Sequence, residues 1–410
     1  MIKKILLGSF LLLSLHSFAQ EGTASPYSFY GVGEIRFNGT AENKAMGGLG
    51  ILPDSIHINL QNPASLPALK STSFGVATSY NTVSLKNATA TEKARRSTFD
   101  YLVMAFPVGK IGLSLGMMPF SSVGYKIQNT AANGYFYKRS GSGNVNKVFV
   151  AAGYQVTPKL SLGADFNYSF GKIETSSAIL PNVQFGSREL NTAVISGMSI
   201  NAGAIYKTKF KKYDFVSSVT LSPSVNLNST NERNLATITY ASTGIERVWD
   251  SQLVPVSQSK IKLPTKFAFG AGLGDLKKWF VGFETTLQGS SNYGRTYAAN
   301  VSVENATKFT LGGYYTPNYN AYSNYIKKIT YRAGLRYENT GLVINNESIN
   351  DSAFTLGFGL PVGGSISNLN LGIEYGKRGT TNAGLLQENY LNFSLGMSFN
   401  DRWFVKRKFD

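Results

Sequence analysis

The sequence predicts an all-β protein: a transmembrane antiparallel β-barrel of about 14 strands, with an N-terminal segment, the hatch, inside its lumen. Three observations support this class. The chain opens with a secretion signal, apolar and polar residues alternate along most of it, and charged residues make up only 15% of its 410 residues, against about 25% in typical globular proteins. No apolar run long enough for a transmembrane helix follows the signal. Because lipid offers no hydrogen bonds, a closed barrel is the other structure that can span a membrane.

The signal occupies residues 1–19. Lys3 and Lys4 precede an apolar stretch, and Ser17-Phe18-Ala19 supplies the small residues of a cleavage site. We therefore expect the mature chain to begin at Gln20. The chain contains no cysteine, so neither disulfides nor thiol chemistry is expected.

Alternation with a period of two extends over residues 72–399, which we predict to be the barrel. In the segment 160–170, for example, Leu162, Phe166 and Phe170 share one face, and small or polar residues share the other. Segments of about ten residues with this pattern are typical of membrane barrels, although a soluble β-sandwich can show the same alternation. The candidate strands lie near 72–86, 97–108, 110–127, 144–156, 158–175, 190–208, 211–228, 258–273, 277–290, 306–316, 328–339, 352–362, 367–378 and 388–399.

The connections between these strands mostly alternate between short and long. Barrels of the bacterial outer membrane have short periplasmic turns and long external loops. The pattern thus predicts an outer-membrane location, with both chain ends of the barrel facing the periplasm. The longest external loop, about 229–257, contains an alternating run of its own, which predicts either a hairpin above the membrane or a loop without a special role.

Residues 20–71 do not alternate, and we predict that they form the hatch. They contain Ala45-Met-Gly-Gly-Leu-Gly50 and then Asn62-Pro-Ala-Ser-Leu-Pro67. Many predicted inward positions of the barrel are glycine, which leaves room in the lumen for a plug: Gly112, Gly163, Gly282, Gly334, Gly357, Gly359, Gly372 and Gly396.

The glycine-rich run followed by Asn62, Pro63 and Ala64 and then by the first strand resembles the N-terminal hatch of the FadL-type long-chain fatty acid transporters. The resemblance covers most of the mature chain in architecture but only residues 41–67 in motif. It implies a plugged fourteen-stranded barrel that carries hydrophobic compounds inward, with ligand-binding hatch residues at Asn62, Pro63 and Ala64.

The resemblance also implies a kinked third strand through which ligand can leave sideways. This sequence has Pro119 in its third strand. Proline cannot donate to a strand ladder and is confined to edges and bulges, so Pro119 is a candidate for a lateral opening. The alternative is a proline above the membrane rim, where the strand is already ending.

The same pattern resembles barrels of this family that carry no lipid, such as the barrel subunit of the type IX secretion translocon. The basic tail, residues 400–410, continues past the last predicted strand and suggests periplasmic docking to a partner. Its candidate residues are Arg402, Trp403, Phe404, Lys406, Arg407 and Lys408. The alternative is an interfacial anchor in which the aromatic residues lie at headgroup depth.

The formal net charge is +17, and many basic residues fall on the predicted periplasmic turns and tail. Expected partners are outer-membrane lipid and lipopolysaccharide, a hydrophobic ligand, and other outer-membrane or periplasmic proteins; nucleic acid is not expected. The predicted lumen holds Asp165, Glu284, Arg332, Arg336 and Glu374, which should pair with each other or with the hatch.

No catalytic or metal-binding pattern is present in the sequence. Only His57 survives signal removal, and it is expected to form a hydrogen bond within the hatch. We therefore predict no enzyme activity, no cofactor and no metal. The favoured function is the passage of hydrophobic small molecules across the outer membrane; the alternative is a non-transporting barrel subunit of an outer-membrane assembly, secretion or lipid-export complex.

Overall fold

The computed structural model describes residues 22–131, 134–181, 185–241, 245–290, 300–320, 324–362 and 367–401. The described strands form one antiparallel sheet, and it closes because the last strand pairs with the second, with Thr72 opposite Asp401. The strands of the first half are β1 Glu34–Ile35, β2 Thr72–Lys86, β3 Thr91–Val108, β4 Ile111–Thr130, β5 Phe136–Gln155, β6 Leu160–Leu180, β7 Gly186–Phe210, β8 Tyr213–Ser222 and β9 Val225–Tyr240. Those of the second half are β10 Glu246–Val254, β11 Ser259–Leu263, β12 Lys266–Asp275, β13 Trp279–Gln288, β14 Val301–Val303, β15 Ala306–Tyr315, β16 Thr330–Ile344, β17 Glu347–Val362, β18 Ser367–Arg378 and β19 Gln387–Asp401.

Several of these strands continue one another along a single path through the wall. Strands β8 and β9 are separated only by Pro223 and Ser224 and pair with the same neighbour, β7. Strands β10, β11 and β12 likewise form one path, as do β14 and β15, while β1 belongs to the hatch. Counted in this way over the described residues, the wall has fourteen strands, which confirms the predicted number.

Exposure alternates along the wall as the sequence predicts. On β6, Leu162, Phe166 and Phe170 are exposed on the outer face, and on β19 Phe393 and Phe399 are exposed in the same way. In water such a band of apolar side chains would be unfavourable. A lipid-facing surface is its physical explanation.

The strands differ in length around the wall, so the wall is taller on one side, which differs from the strands predicted from the sequence. Strand β13 has 10 residues, whereas β7 has 25. The predicted external loop 229–257 is mostly strand: β9 runs to Tyr240 and pairs with β10 from Glu246 onward. The hairpin alternative is therefore the observed one, and it lengthens the wall itself.

The hatch lies in the lumen and contains the short helix α1, Ala41–Lys44, and two 3-10 helices, Pro26–Phe29 and Pro63–Ala68. Two further 3-10 turns, Tyr325–Lys328 and Asn382–Gly384, lie between wall strands. The buried apolar clusters combine hatch and wall, as where Leu49 and Ile51 of the hatch pack against Phe280 of β13. None of the helices in the described ranges is long and apolar enough to cross a membrane.

Candidate functional site: the hatch and the luminal cavity

Two cross-strand rows of glycine form the seat of the hatch. Within each row, consecutive glycines are direct partners on neighbouring strands. The first row is Gly112, Gly153, Gly163 and Gly203; the second is Gly272, Gly282, Gly312 and Gly334. A Cβ on Gly163 would lie 2.5 Å from the backbone nitrogen of Ala64, and one on Gly334 would overlap the Met46–Gly47 peptide. At Gly112, Gly153, Gly163, Gly312 and Gly334 the missing side chain lets the hatch backbone touch the wall backbone.

The Ala45–Gly50 motif forms a tight turn against the second row. Gly47 and Gly48 have φ angles of +71° and +93°, a region that favours glycine. The backbone N–H of Gly47 donates to Thr355 Oγ1 (2.9 Å), and that of Gly50 donates to Glu284 Oε2 (3.0 Å). The motif thus positions peptide donors toward the inner face of the wall.

The Asn62-Pro63-Ala64 motif begins the 3-10 helix Pro63–Ala68, which packs on the first glycine row. Asn62 is fully buried; its side-chain oxygen accepts from the N–H of Ala64 (3.0 Å), and its Nδ2 donates to Ser218 Oγ (2.8 Å). Asn62 and Ala64 therefore contact the wall. Neither lines the luminal cavity that is described below, whereas Pro63 lines it. For Asn62 and Ala64 the geometry indicates anchoring of the hatch in place of the expected ligand contact.

A network of buried charges fixes the hatch to the opposite side of the wall. Arg378 on β18 forms ion pairs with Glu34 of the hatch (2.7 Å) and with Asp351 of β17 (2.9 Å). Arg336 on β16 pairs with Glu374 of β18 (2.9 Å). The pair between Arg378 and Glu34 joins the hatch to the wall, and the other two join wall strands to each other. Breaking a buried pair leaves an uncompensated charge, at a cost of about 3–5 kcal/mol, so the Arg378–Glu34 pair stabilises the docked hatch.

The five luminal charges named from the sequence do find partners. Glu284 and Arg336 have the contacts described above. Arg332 donates to Asn370 (2.9 Å), and Asn370 in turn donates to Glu42 of the hatch (2.7 Å). Asp165 accepts from Asn201 (2.9 Å).

His57 lies within the hatch between two carboxylates. Its Nδ1 is 2.8 Å from Asp54 Oδ2, and its Nε2 is 3.7 Å from Glu42 Oε1. Burial by itself would lower the pKa of His57. The neighbouring carboxylates of Asp54 and Glu42 outweigh burial, so the pKa of His57 is raised above its ordinary value. Burial would raise the pKa of Asp54, and His57 outweighs that effect and lowers it to about 2. The expected hydrogen bond of His57 is therefore an ion pair over much of the pH range.

Beside the hatch lies a luminal cavity of about 490 Å³. Its lining mixes apolar residues with many ionisable ones: Glu34, Arg36, Lys44, Arg96, Asp100, Lys147, Asp165, Lys266, Lys308, Arg336, Glu338, Asp351, Glu374, Arg378 and Glu388. Ionisable groups thus lie beside apolar side chains such as Leu66, Phe99 and Phe149. A ligand with both a polar and an apolar part suits this lining better than a bare hydrocarbon, which cannot satisfy the charged groups.

The cavity extends to a gap in the wall beside Pro119. The ladder between β3 and β4 runs from Val108↔Ile111 to Leu102↔Met117 and stops there, although both strands continue. The hatch bridges the gap: the backbone N–H of Arg36 donates to the carbonyl of Phe120 (2.9 Å), and its guanidinium donates to Thr98 Oγ1 (2.7 Å). A lateral path here exists only if the segment around Arg36 moves.

The predicted docking residues Arg402, Trp403, Phe404, Lys406, Arg407 and Lys408 lie outside the described residues, while Asn400 and Asp401 belong to β19. The luminal lysines Lys147, Lys266 and Lys308 were not singled out from the sequence. Each adjoins an outward apolar residue (Val148, Phe267 and Phe309), so the strand period could have placed them inside.

Comparison with solved structures shows the same barrel fold. The Pseudomonas putida toluene transporter TodX is 17% identical, with a TM-score of 0.61 over 91% of this chain and 100% of that chain. The Ralstonia pickettii toluene transporter TbuX is 14% identical, with a TM-score of 0.60 over 89% and 99%. A Pseudomonas aeruginosa FadL homologue is 12% identical, with a TM-score of 0.59 over 90% and 100%. At these identities the likeness establishes the fold and leaves the activity open.

No curated protein matches the sequence. The resemblance to FadL-type transporters is confirmed at the level of the fold. The model of the family described as BamG matches residues 1–410. This β-barrel protein therefore belongs to the BamG family.

Proposed function

We propose that this protein is a closed barrel that serves as a subunit of a protein assembly in the bacterial outer membrane, with its short turns facing the periplasm. The uneven wall carries this proposal. Crossing a membrane takes about 9–11 residues of a strand, which β13 supplies with its 10 residues. Strands β5, β6 and β7 have 20, 21 and 25 residues. More than half of β7 is therefore available to stand outside the lipid, where a sheet surface meets other proteins.

The end of this tall wall has an open edge. Strand β10 pairs with β9 on one side, and no strand within the described ranges pairs with its other side. Val248, Trp249 and Leu253 are exposed on it. An unpaired edge with apolar side chains is a template for an extended segment of another chain.

The state of the lumen supports a closed barrel. The hatch contacts the wall backbone at the glycine rows and is held by buried ion pairs, and the cavity lining is charged. Free diffusion of a hydrocarbon would have to displace these contacts.

The test is purification of the tagged protein from its own membranes in mild detergent, with mass spectrometry of copurifying proteins and lipids. We expect a stoichiometric set of protein partners. The double variant Val248→Lys/Leu253→Lys should lose some of them, whereas Val194→Lys, a matched change at another exposed site, should keep all of them. A lone barrel, or an unchanged set of partners with the β10 variant, would refute the proposal at this edge.

The C-terminal tail supplies a second, separate docking hypothesis for the periplasmic side. Deleting residues 403–410 should leave the barrel folded and should weaken a periplasmic partnership. If the truncated chain copurifies with the same partners, the tail has no docking role.

A second candidate function is passage of an amphiphile through the wall, as the resemblance to transporters suggests. The observation that favours it is the gap beside Pro119, which the cavity reaches. Crosslinking Phe99→Cys to Phe120→Cys across the gap with a short bis-maleimide should block uptake of a labelled alkyl probe. The same reagent on Leu102→Cys and Met117→Cys, which already pair, should leave uptake unchanged. Equal uptake by both crosslinked forms would exclude this route.

A further inference from the structure

Three lysines from distant parts of the sequence face the same luminal cavity. Lys147 lies on β5, Lys266 on β12 and Lys308 on β15, and all three line the cavity. We call them the lysine cluster. Each is partly buried, so each ammonium group has given up part of its hydration.

In the part of the chain that the structure describes, the lysine cluster has no ion pair. Lys147 donates to the side-chain oxygen of Asn38 in the hatch (2.7 Å), and within the described residues neither Lys266 nor Lys308 has a hydrogen bond or an ion pair. On β13, Gln288 pairs with Lys266 of β12, and Thr286, two residues away, pairs with Lys308 of β15, so the strand register places the two lysines in one part of the lumen. Like charges held together without partners are unfavourable unless something else neutralises them.

Two of the nearby carboxylates accept hydrogen bonds from groups other than the lysines. Glu284 accepts from the N–H of Gly50 (3.0 Å), and Asp165 accepts from Asn201 (2.9 Å). Glu338 is the cross-strand partner of Lys308, but the two form no ion pair. Within the described residues, Lys266 and Lys308 therefore have no direct protein partner, and Lys147 donates only to a neutral amide, so all three can meet an anion in the cavity.

We propose that the lysine cluster binds the phosphate group of an amphiphile. A phosphate monoester carries up to two charges and three acceptor oxygens, which suits several ammonium donors better than a single carboxylate does. Lys147 is the cross-strand partner of Met118, next to Pro119 at the gap. The rim of the gap carries exposed Phe99, Leu102 and Met117. Once the segment around Arg36 moves away from the gap, an alkyl chain attached to the phosphate can lie against these apolar side chains while its headgroup stays inside. This inference is independent of the role of the protein in an assembly.

The experiment uses the full-length protein in a neutral maltoside detergent and phosphate-free buffer. Binding of decyl phosphate is measured by isothermal titration calorimetry, next to decanoate, decanol and inorganic phosphate. We expect decyl phosphate to bind most tightly. The variant Lys266→Gln/Lys308→Gln should weaken that binding about tenfold or more, and Lys172→Gln, an exposed lysine outside the cavity, should not change it.

Folding of each variant is checked by heat-modifiable mobility on gels, and Lys147→Gln replaces the double variant if the latter does not fold. Inorganic phosphate binding as tightly as decyl phosphate would overturn the amphiphile and indicate a free phosphate ligand. Decanoate binding as tightly would overturn the preference for phosphate. No binding, or equal binding by the lysine variants, would overturn the site itself.

Discussion

The glycine rows and the lysine cluster share three strands, β5, β12 and β15, but they differ in how the wall meets the hatch. On β5, Lys147 lies six residues from the row glycine Gly153, and on β15, Lys308 lies four residues from the row glycine Gly312. At these two glycines the hatch backbone lies against the wall. At the lysines the wall faces a cavity of about 490 Å³, and Lys147 reaches the hatch only through its side chain, at Asn38. The size and charge of inward side chains, at constant strand geometry, thus decide where the barrel is sealed and where it can hold a ligand.

The largest effect is expected on the outer face at the level of the second glycine row. Phe283 adjoins Gly282 in the middle of β13, the 10-residue strand, and is exposed. If this level is the bilayer midplane, Phe283→Arg should cost about 2–4 kcal/mol. The abundance of folded barrel in the membrane is the measurement, and Val194→Arg on the tall wall is the control. Equal abundance of the two variants would mean that the glycine row lies outside the membrane.

The next effect tests the seat of the hatch. Gly334→Val places a side chain where the Met46–Gly47 peptide lies, and overpacking of this kind costs about 1–3 kcal/mol. We expect the hatch of this variant to become sensitive to trypsin. Gly289→Ala is the matched control, since its new Cβ would meet only the Thr265 carbonyl at 3.8 Å. An equally protected hatch in both variants would contradict the close seat.

The effect of pH on the stability of the hatch should be smaller than the effect of Gly334→Val. The raised pKa of His57 means that its ion pair with Asp54 stabilises the hatch fully below about pH 6.5, the ordinary value, and is lost as the pH rises through the folded value. Because the pKa of Asp54 is about 2, its own contribution is lost only in strong acid. The protection against hydrogen exchange near residue 57, relative to an unfolded peptide, should therefore fall as the pH rises through the folded pKa of His57. His57→Gln should remove this change; a variant that keeps it would show that another group titrates.

The smallest effect is expected at the lysine cluster. Lys308→Met removes a partly buried charge without an ion pair, so the free energy of unfolding should change by less than about 1 kcal/mol. Urea unfolding of the purified barrel is the measurement, with Gly334→Val for comparison. A large loss of stability with Lys308→Met would mean that the lysine supports the fold, and the contrast between the two regions would fail.

Much of the fold was predictable because strand geometry is local. A period of two assigns each side chain to lipid or lumen, and it placed Leu162 and Phe166 outside and Asp165 inside. The number of strands followed from the same pattern. The heights of the strands did not: polar stretches such as the one before Tyr240 read equally well as loop or as strand above the membrane, and pairing with β7 and β10 selects the strand.

The candidate site was less predictable because it depends on contacts between distant residues. The sequence marked the hatch motifs and Pro119, and the end of the β3–β4 ladder lies next to that proline. It could not show that Asn62 anchors to Ser218, that Arg36 bridges the gap, or that Arg378 holds Glu34. Each of these contacts joins residues more than 60 positions apart along the chain.

The sequence by itself determined the class of the protein: a charge-poor chain whose alternation and inward glycines suit a plugged membrane barrel. It could do so because the bilayer imposes the same local rule on every strand. Only the tertiary structure decided which inward residues meet the hatch, which face the cavity and which wall strands rise above the rest. Barrel closure and strand register bring those residues together, and both depend on pairing between strands that are far apart in sequence.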